Sequence, residues 1–123
     1  MRGKGKRAEE YAVKLLVEQG WQILAVNWHS AYGEIDIIAR DGAYICFVEV
    51  KARKAHAMVG AAASVTPAKQ RKIIQTALLY LQEYNQDLQP RFDVLAITWD
   101  TAGTVTGWEI LKGAFDGSAY PYD

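Results

Sequence analysis

A chain of 123 residues, half of them apolar, is enough for one domain that buries about two-thirds of its unfolded surface. No apolar run approaches the roughly 18 residues that a membrane-spanning helix needs, and a lone Cys46 excludes both a disulfide framework and a thiolate metal site. The formal net charge of zero excludes a uniformly basic nucleic-acid binder, yet residues 1–72 carry twelve Lys/Arg against seven Asp/Glu while residues 73–123 carry two against seven.

The chain opens on Met-Arg-Gly-Lys-Gly-Lys-Arg, which reads as a mobile basic arm over residues 1–6. It is either a frayed, solvated terminus or a contact to phosphates through Lys4, Lys6 and Arg7. An acidic helix follows with no hydrophobic signal region, so no secretion signal is read and a cytoplasmic location is expected. From Arg7 to Gln19, the residues Ala8, Tyr11, Ala12, Leu15 and Leu16 recur at helical spacing, with Gly20 as a C-terminal stop. Glu9 falls at the edge of that apolar stripe, and Glu10 turns about 100° further towards solvent. Glu9 therefore either snorkels or needs a polar partner. Trp21 to Trp28 predicts a strand, followed by a loop over Asn27-Trp28-His29-Ser30-Ala31-Tyr32-Gly33. His29 has no second His or Cys at ligand-like spacing and reads as exposed. Trp28 and Tyr32 read as packing before they read as a platform for unstacked bases.

Gly33 to Lys51 is the chemically densest stretch. Two runs rich in Ile, Val and Phe flank Asp41-Gly42, the signature of a β-hairpin. Strand alternation sets Glu34, Asp36 and Ile38 on one face of the first strand, and Ile45, Phe47, Glu49 and Lys51 together on the second. With the turn centred on Asp41-Gly42, Asp36 faces Phe47 and Glu34 faces Glu49. Asp36 and Glu49 are then diagonal neighbours at about 7–8 Å, with Lys51 one strand repeat beyond. Crowded carboxylates repel and raise one another's pKa. A hard cation, Mg²⁺ or Mn²⁺, relieves that repulsion.

Beyond Lys51 a long connection of small residues carries Arg53 and Lys54 at its start and reads as a flap that contacts nucleic acid, with His56 an ordinary member of it. Thr66-Pro67 starts a second helix that runs to about Asn85, with Ile73, Ile74, Ala77, Leu81 and Tyr84 as its buried face. Gln70 points along that face and needs hydrogen-bond partners there. Lys69, Arg71 and Lys72 flank it, as phosphate ligands near the helix N-terminus or as a solvated basic face. Arg91 to Thr98 predicts a central strand in which Asp93 is a structural charge paired with Arg91 or a basic neighbour. Thr104 to Ile110 predicts an edge strand, and residues 116–123 a loose tail. The order α-β-β-β-α-β-β makes residues 1–123 a single α/β domain with a mixed central sheet flanked by helices.

Four motifs in order resemble the YraN-like family of predicted endonucleases: Gly33-Glu34-Ile35-Asp36, Phe47-Val48-Glu49-Val50-Lys51, Thr66-Pro67-Ala68-Lys69-Gln70 and Arg91-Phe92-Asp93-Val94. That family is similar to the archaeal Holliday-junction resolvases within the PD-(D/E)xK nucleases. Glu-x-Lys alone is three common residues; the ordered set, from about Gly5 to Phe115, carries the resemblance. It implies a restriction-endonuclease-like three-layer sandwich and metal-dependent hydrolysis of DNA phosphodiester bonds, branched or junction DNA included. It also implies that Asp36, Glu49 and Lys51 are catalytic. Glu9 would join them from the first helix, and Gln70 would position a water or phosphate from the second. Asp36, Glu49 and the Val50 carbonyl would hold Mg²⁺ or Mn²⁺. Ala8 stands where the family usually has Gly, which leaves Glu9 itself in place. A two-fold homodimer is compatible with the resemblance. The alternative is a non-catalytic module that binds nucleic acid through the same basic face, formed by Lys4, Lys6, Arg7, Arg53, Lys54, Lys69 and Lys72. A third reading makes the carboxylates and Lys51 an inert ion-pair network in an assembly adaptor.

Overall fold

Alternating Ile, Val, Leu and Phe along the middle strands give one sheet two apolar faces, and a helix covers each. The computed structural model describes residues 2–54, 60, 64–84 and 86–116, with side chains from Lys6 onward. Its elements are α1 (Arg2–Glu18), β1 (Gln22–Ser30), β2 (Gly33–Asp41), β3 (Tyr44–Lys54), α2 (Pro67–Glu83), β4 (Gln89–Trp99) and β5 (Val105–Phe115). The strands lie in the order β1-β2-β3-β4-β5. All neighbours are antiparallel except β3 and β4, which are parallel and are joined by the crossover helix α2. The expected element order, mixed sheet and flanking helices are all borne out.

Ala8, Ala12, Leu15 and Leu16 of α1 pack on Ile37, Ala39, Cys46, Val48, Leu95 and Ile97. On the other face, Ile73, Ala77 and Tyr80 of α2 pack on Ile35, Ile38, Ile45, Phe47 and Val94. Among the described residues no helix is long and apolar enough to cross a membrane.

Several boundaries differ from the sequence expectation. Helix α1 begins at Arg2, so the arm expected over residues 1–6 is helical from its second residue. Arg7 secures this end: its guanidinium donates to the Gly103 carbonyl at 3.3 Å and lies over the Trp99 ring. Extending a docked helix costs far less than nucleating one. The side chain of Lys4 lies outside the described residues. Strand β1 continues to Ser30, which makes His29 a strand residue.

The hairpin register is shifted by two. Arg40 pairs with Ile45 and Asp41 with Tyr44, so the turn is Gly42-Ala43. Gly42 takes the left-handed conformation such a turn requires, φ +62°. Asp41 stays in the strand because Arg91 and Lys112 hold its carboxylate, at 2.9 Å and 3.4 Å. Strand β3 runs on to Lys54, paired with Trp99, so Arg53 and Lys54 belong to the sheet. Arg53 and Lys54 are therefore not part of the expected flap, and the rest of that connection, residues 55–59 and 61–63 with His56, lies outside the described residues.

The buried face of α2 also contains Thr76 and Tyr80; Leu81 packs against it partly buried, and Tyr84 is exposed. Tyr80 sits edge-on to Trp28 at 5.2 Å and to Phe47 at 6.2 Å. Trp28 is thus a packing residue, as expected. Strand β5 extends to Phe115, which stacks on Phe92 at 5.3 Å. Residues 117–123 lie outside the described residues.

Candidate active site

Asp36 sits where β2 leaves its ladder with β3. The last paired residues are Ile37 and Val48; beyond them the Val50 N–H donates to Asp36 Oδ2 at 2.8 Å. A side chain thus takes over a backbone bond and pins Asp36 against β3. Carried one step further, the register sets Asp36 across from Glu49, whereas the sequence placed Glu34 there. Burial pushes the Asp36 carboxyl up to about 7 from 3.8, and the charge of Glu49 adds to this. The Val50 N–H opposes the shift, while the charge of Glu9 and a hydrogen bond with Glu49 reinforce it. Asp36 therefore keeps its proton until close to neutrality.

Two lysines face this pair. Lys51 Nζ lies 3.3 Å from Glu49 Oε2, and both side chains are 18% exposed. Lys69 comes from the first turn of α2, where the Thr66 hydroxyl caps the helix by accepting from the Lys69 N–H at 3.3 Å. A hydrogen bond with Lys51, and the charge of Lys51, lower the Lys69 ammonium pKa; Glu49 and Asp36 pull the other way. The cleft has a volume of about 230 Å³ and is lined by Gly33, Glu34, Asp36, Glu49, Lys69, Lys72 and Ile73. Glu34 is tied at its rim to His29, at 2.7 Å.

Asp36, Glu49, Lys51, Lys69 and Lys72 of the residues singled out from sequence thus meet at one place. Others do not. Glu9 accepts from Asn27 Nδ2 at 2.8 Å and lines a separate cavity with Lys6, Glu10, Val13, Val26 and Asn27. Its charge reaches Asp36, but its carboxylate is taken by Asn27, whose backbone sits at φ +52°. Gln70 donates its amide to the Val65 carbonyl at 3.0 Å and ties down the approach to α2 rather than lining the cleft. Arg53 reaches the Gly60 carbonyl at 3.5 Å. Arg7 and Lys54 line a different cavity. Among the described residues, no three His, Cys, Asp or Glu side chains converge as a metal-ligating group, so the cleft offers a carboxylate pair. Sequence reasoning missed two contacts, Asn27 with Glu9 and Lys69 with Lys51. Both join residues far apart in the chain, and no local pattern announces them.

Asp93 is structural, as expected. It is fully buried, receives Nε and Nη2 of Arg91 at 2.9 Å each, and accepts the Gly113 N–H at 2.9 Å.

A mixed sheet between two helices, with a carboxylate pair and lysines gathered at one cleft, defines an α/β protein with a charged cleft on the α2 side. The chain belongs to the uncharacterised protein family UPF0102, the YraN-like family, whose model matches residues 8–97. It is 43% identical over 115 residues to a UPF0102 protein of Legionella pneumophila, covering 92% of this chain and 94% of that one. A UPF0102 protein of an Anaeromyxobacter species is 35% identical over 121 residues, covering 98% and 90%. One from Acinetobacter baumannii is 47% identical over 93 residues, covering 74% and 70%.

Proposed function

We propose that the chain is a Mg²⁺- or Mn²⁺-dependent endonuclease that hydrolyses DNA phosphodiester bonds, branched or junction DNA included. The observation that carries this reading is the Asp36–Glu49 pair, crowded enough to hold a proton near pH 7 beside Lys51 and Lys69. The donor set fits a hard dication, which takes one or two carboxylates and completes its shell with water and substrate phosphate oxygens. Asp36, Glu49 and the Val50 carbonyl would hold it. When bound, such an ion polarises a phosphoryl oxygen and lowers the pKa of a water nucleophile.

The protein's own groups do the rest. Lys51, fixed by Glu49, stabilises negative charge that develops on the phosphoryl oxygens. Lys69 and Lys72, on one face of α2, hold phosphates that flank the reacting one. Glu9 acts at a distance, keeping the surroundings of Asp36 negative. Gln70 is a positioning residue that anchors the turn before α2.

The test is cleavage of a labelled panel (linear duplex, single strand, flap, four-way junction) with Mg²⁺ or Mn²⁺, using Glu49→Ala as control. Cutting by the parent alone supports the nuclease. If neither protein cuts but both retard the junction on a gel, the chain is a binding module.

A further inference from the structure

Trp99, the last residue of β4, is 7% exposed, and its indole N–H has no hydrogen-bond acceptor among the described residues. Trp99 lines a cavity of about 510 Å³ together with Arg7, Lys54, Asp100 and the turn through Gly103. Lys54 is the direct neighbour of Trp99 in the β3–β4 register. Arg7 lies over the indole ring, 5.2 Å from its centroid, and spends one N–H on the Gly103 carbonyl. The guanidinium has five N–H donors, so others remain. Among the described residues, neither Arg7 nor Lys54 is ion-paired. Asp100 is occupied elsewhere: its Oδ1 accepts the N–H groups of Ala102 and Thr104 at 3.0 Å and 2.9 Å.

Two cations around one opening make an anion site, and a guanidinium fork suits the oxygens of phosphate. Lys54 stands three residues beyond Lys51, so alternation puts it on the opposite, α1 face of the sheet. The cavity therefore lies behind the carboxylate cleft, at the C-terminal end of the parallel pair β3 and β4. Lys51 and Lys54 are separated by about 10 Å along the strand, on the order of three nucleotide rises of a nucleic-acid strand.

We propose that Arg7 and Lys54, set against the Trp99 indole, form a second phosphate site, which takes a backbone phosphate of a nucleic-acid strand as it passes round the end of β3 and β4 from the carboxylate cleft. The identity of the occupant rests on the nuclease reading; the site itself does not.

The experiment follows the indole N–H resonances of the full chain by ¹H–¹⁵N spectroscopy in EDTA, where cutting cannot contribute. Trp99→Phe assigns the relevant signal while keeping most of the ring packing. Inorganic phosphate is titrated first, then a single-stranded oligonucleotide and a four-way junction. The Trp99 signal should move with each, and Lys54→Ala, with an unchanged melting temperature, should abolish the phosphate shift. Lys54→Ala should also flatten the dependence of log affinity for the junction on log salt by roughly 0.9, one phosphate contact. An unmoved Trp99 signal, or a shift that survives Lys54→Ala, overturns the site. A response to inorganic phosphate with the parent's salt slope retained for DNA overturns the nucleic-acid assignment. A chain that never cuts DNA can pass this test, and an active nuclease can fail it.

Discussion

Asp36 is under opposing demands. The Val50 N–H at 2.8 Å favours its ionised form, while burial and Glu49 favour the protonated one and win, with the pKa pushed up to about 7 from 3.8. The folded chain holds this proton to higher pH than the unfolded chain. The associated stability is therefore whole below pH 3.8 and is lost as pH rises to about 7. Asp36→Asn keeps an acceptor for the Val50 N–H and removes the titration. Urea unfolding should show it equal to the parent at pH 4 and more stable at pH 8, by about 2 kcal/mol or more at roughly 1.4 kcal/mol per pH unit of displacement. A difference that stays constant with pH would refute this account. Arg91 shows the converse, a satisfied network. Burial alone would weaken its charge, but hydrogen bonds to Asp93 and Asp41 raise its pKa instead. Arg91→Gln leaves Asp93 charged and enclosed, and should cost about 3–5 kcal/mol in the denaturation free energy. A loss below about 1 kcal/mol, the worth of an exposed ion pair, would mean that Asp93 finds another partner.

At the level of elements, α2 links fold to chemistry. The Thr66 hydroxyl accepts the Lys69 N–H and its carbonyl accepts the Gln70 N–H at 2.9 Å, so the cap that starts the helix also aims Lys69 at Lys51. Thr66→Ala should lower stability by about 1 kcal/mol with an unchanged denaturant slope. Because it disturbs the placement of Lys69, it should also weaken DNA retention on a gel more than Lys112→Ala, an exposed lysine outside the cleft, does. Equal retention by the two variants would confine Thr66 to a capping role. The β2–β3 hairpin makes the same link. Its apolar alternation and Gly42 announce two strands, but Asp41 reads as a turn residue until Arg91, on another strand, is seen to hold it in the ladder. That capture moves the register by two and brings Asp36 opposite Glu49.

For the whole molecule, the sheet separates two basic regions: Lys51, Lys69 and Lys72 around the carboxylate pair on the α2 side, and Arg7 with Lys54 on the α1 side. A cation bound between Asp36 and Glu49 would displace the Asp36 proton and stabilise only the folded state. Added Mg²⁺ or Mn²⁺ should then raise the unfolding midpoint of the parent, by about 2.7 kcal/mol at a hundredfold excess over Kd. EDTA should reverse the gain, and Glu49→Gln should show none. Calorimetry in which parent and Glu49→Gln respond alike would place any metal elsewhere.

The amino-acid sequence by itself determined the element order, the two-faced strands and the Thr66 cap, and it singled out Asp36, Glu49 and Lys51, which the fold brings together. Each follows from spacing along the chain, through strand alternation, helical period or a capping side chain, or from short motifs in a recognisable order. Tertiary structure decided what those residues meet. It set the hairpin register, gave Glu9 to Asn27 and Gln70 to the Val65 carbonyl, and brought Lys69 to Lys51. It also assembled Arg7, Lys54 and Trp99 around one cavity. Apart from the local Gln70–Val65 bond, these contacts join separate elements of the chain, and they form because two helices dock on opposite faces of a sheet and ion pairs choose where its strands align.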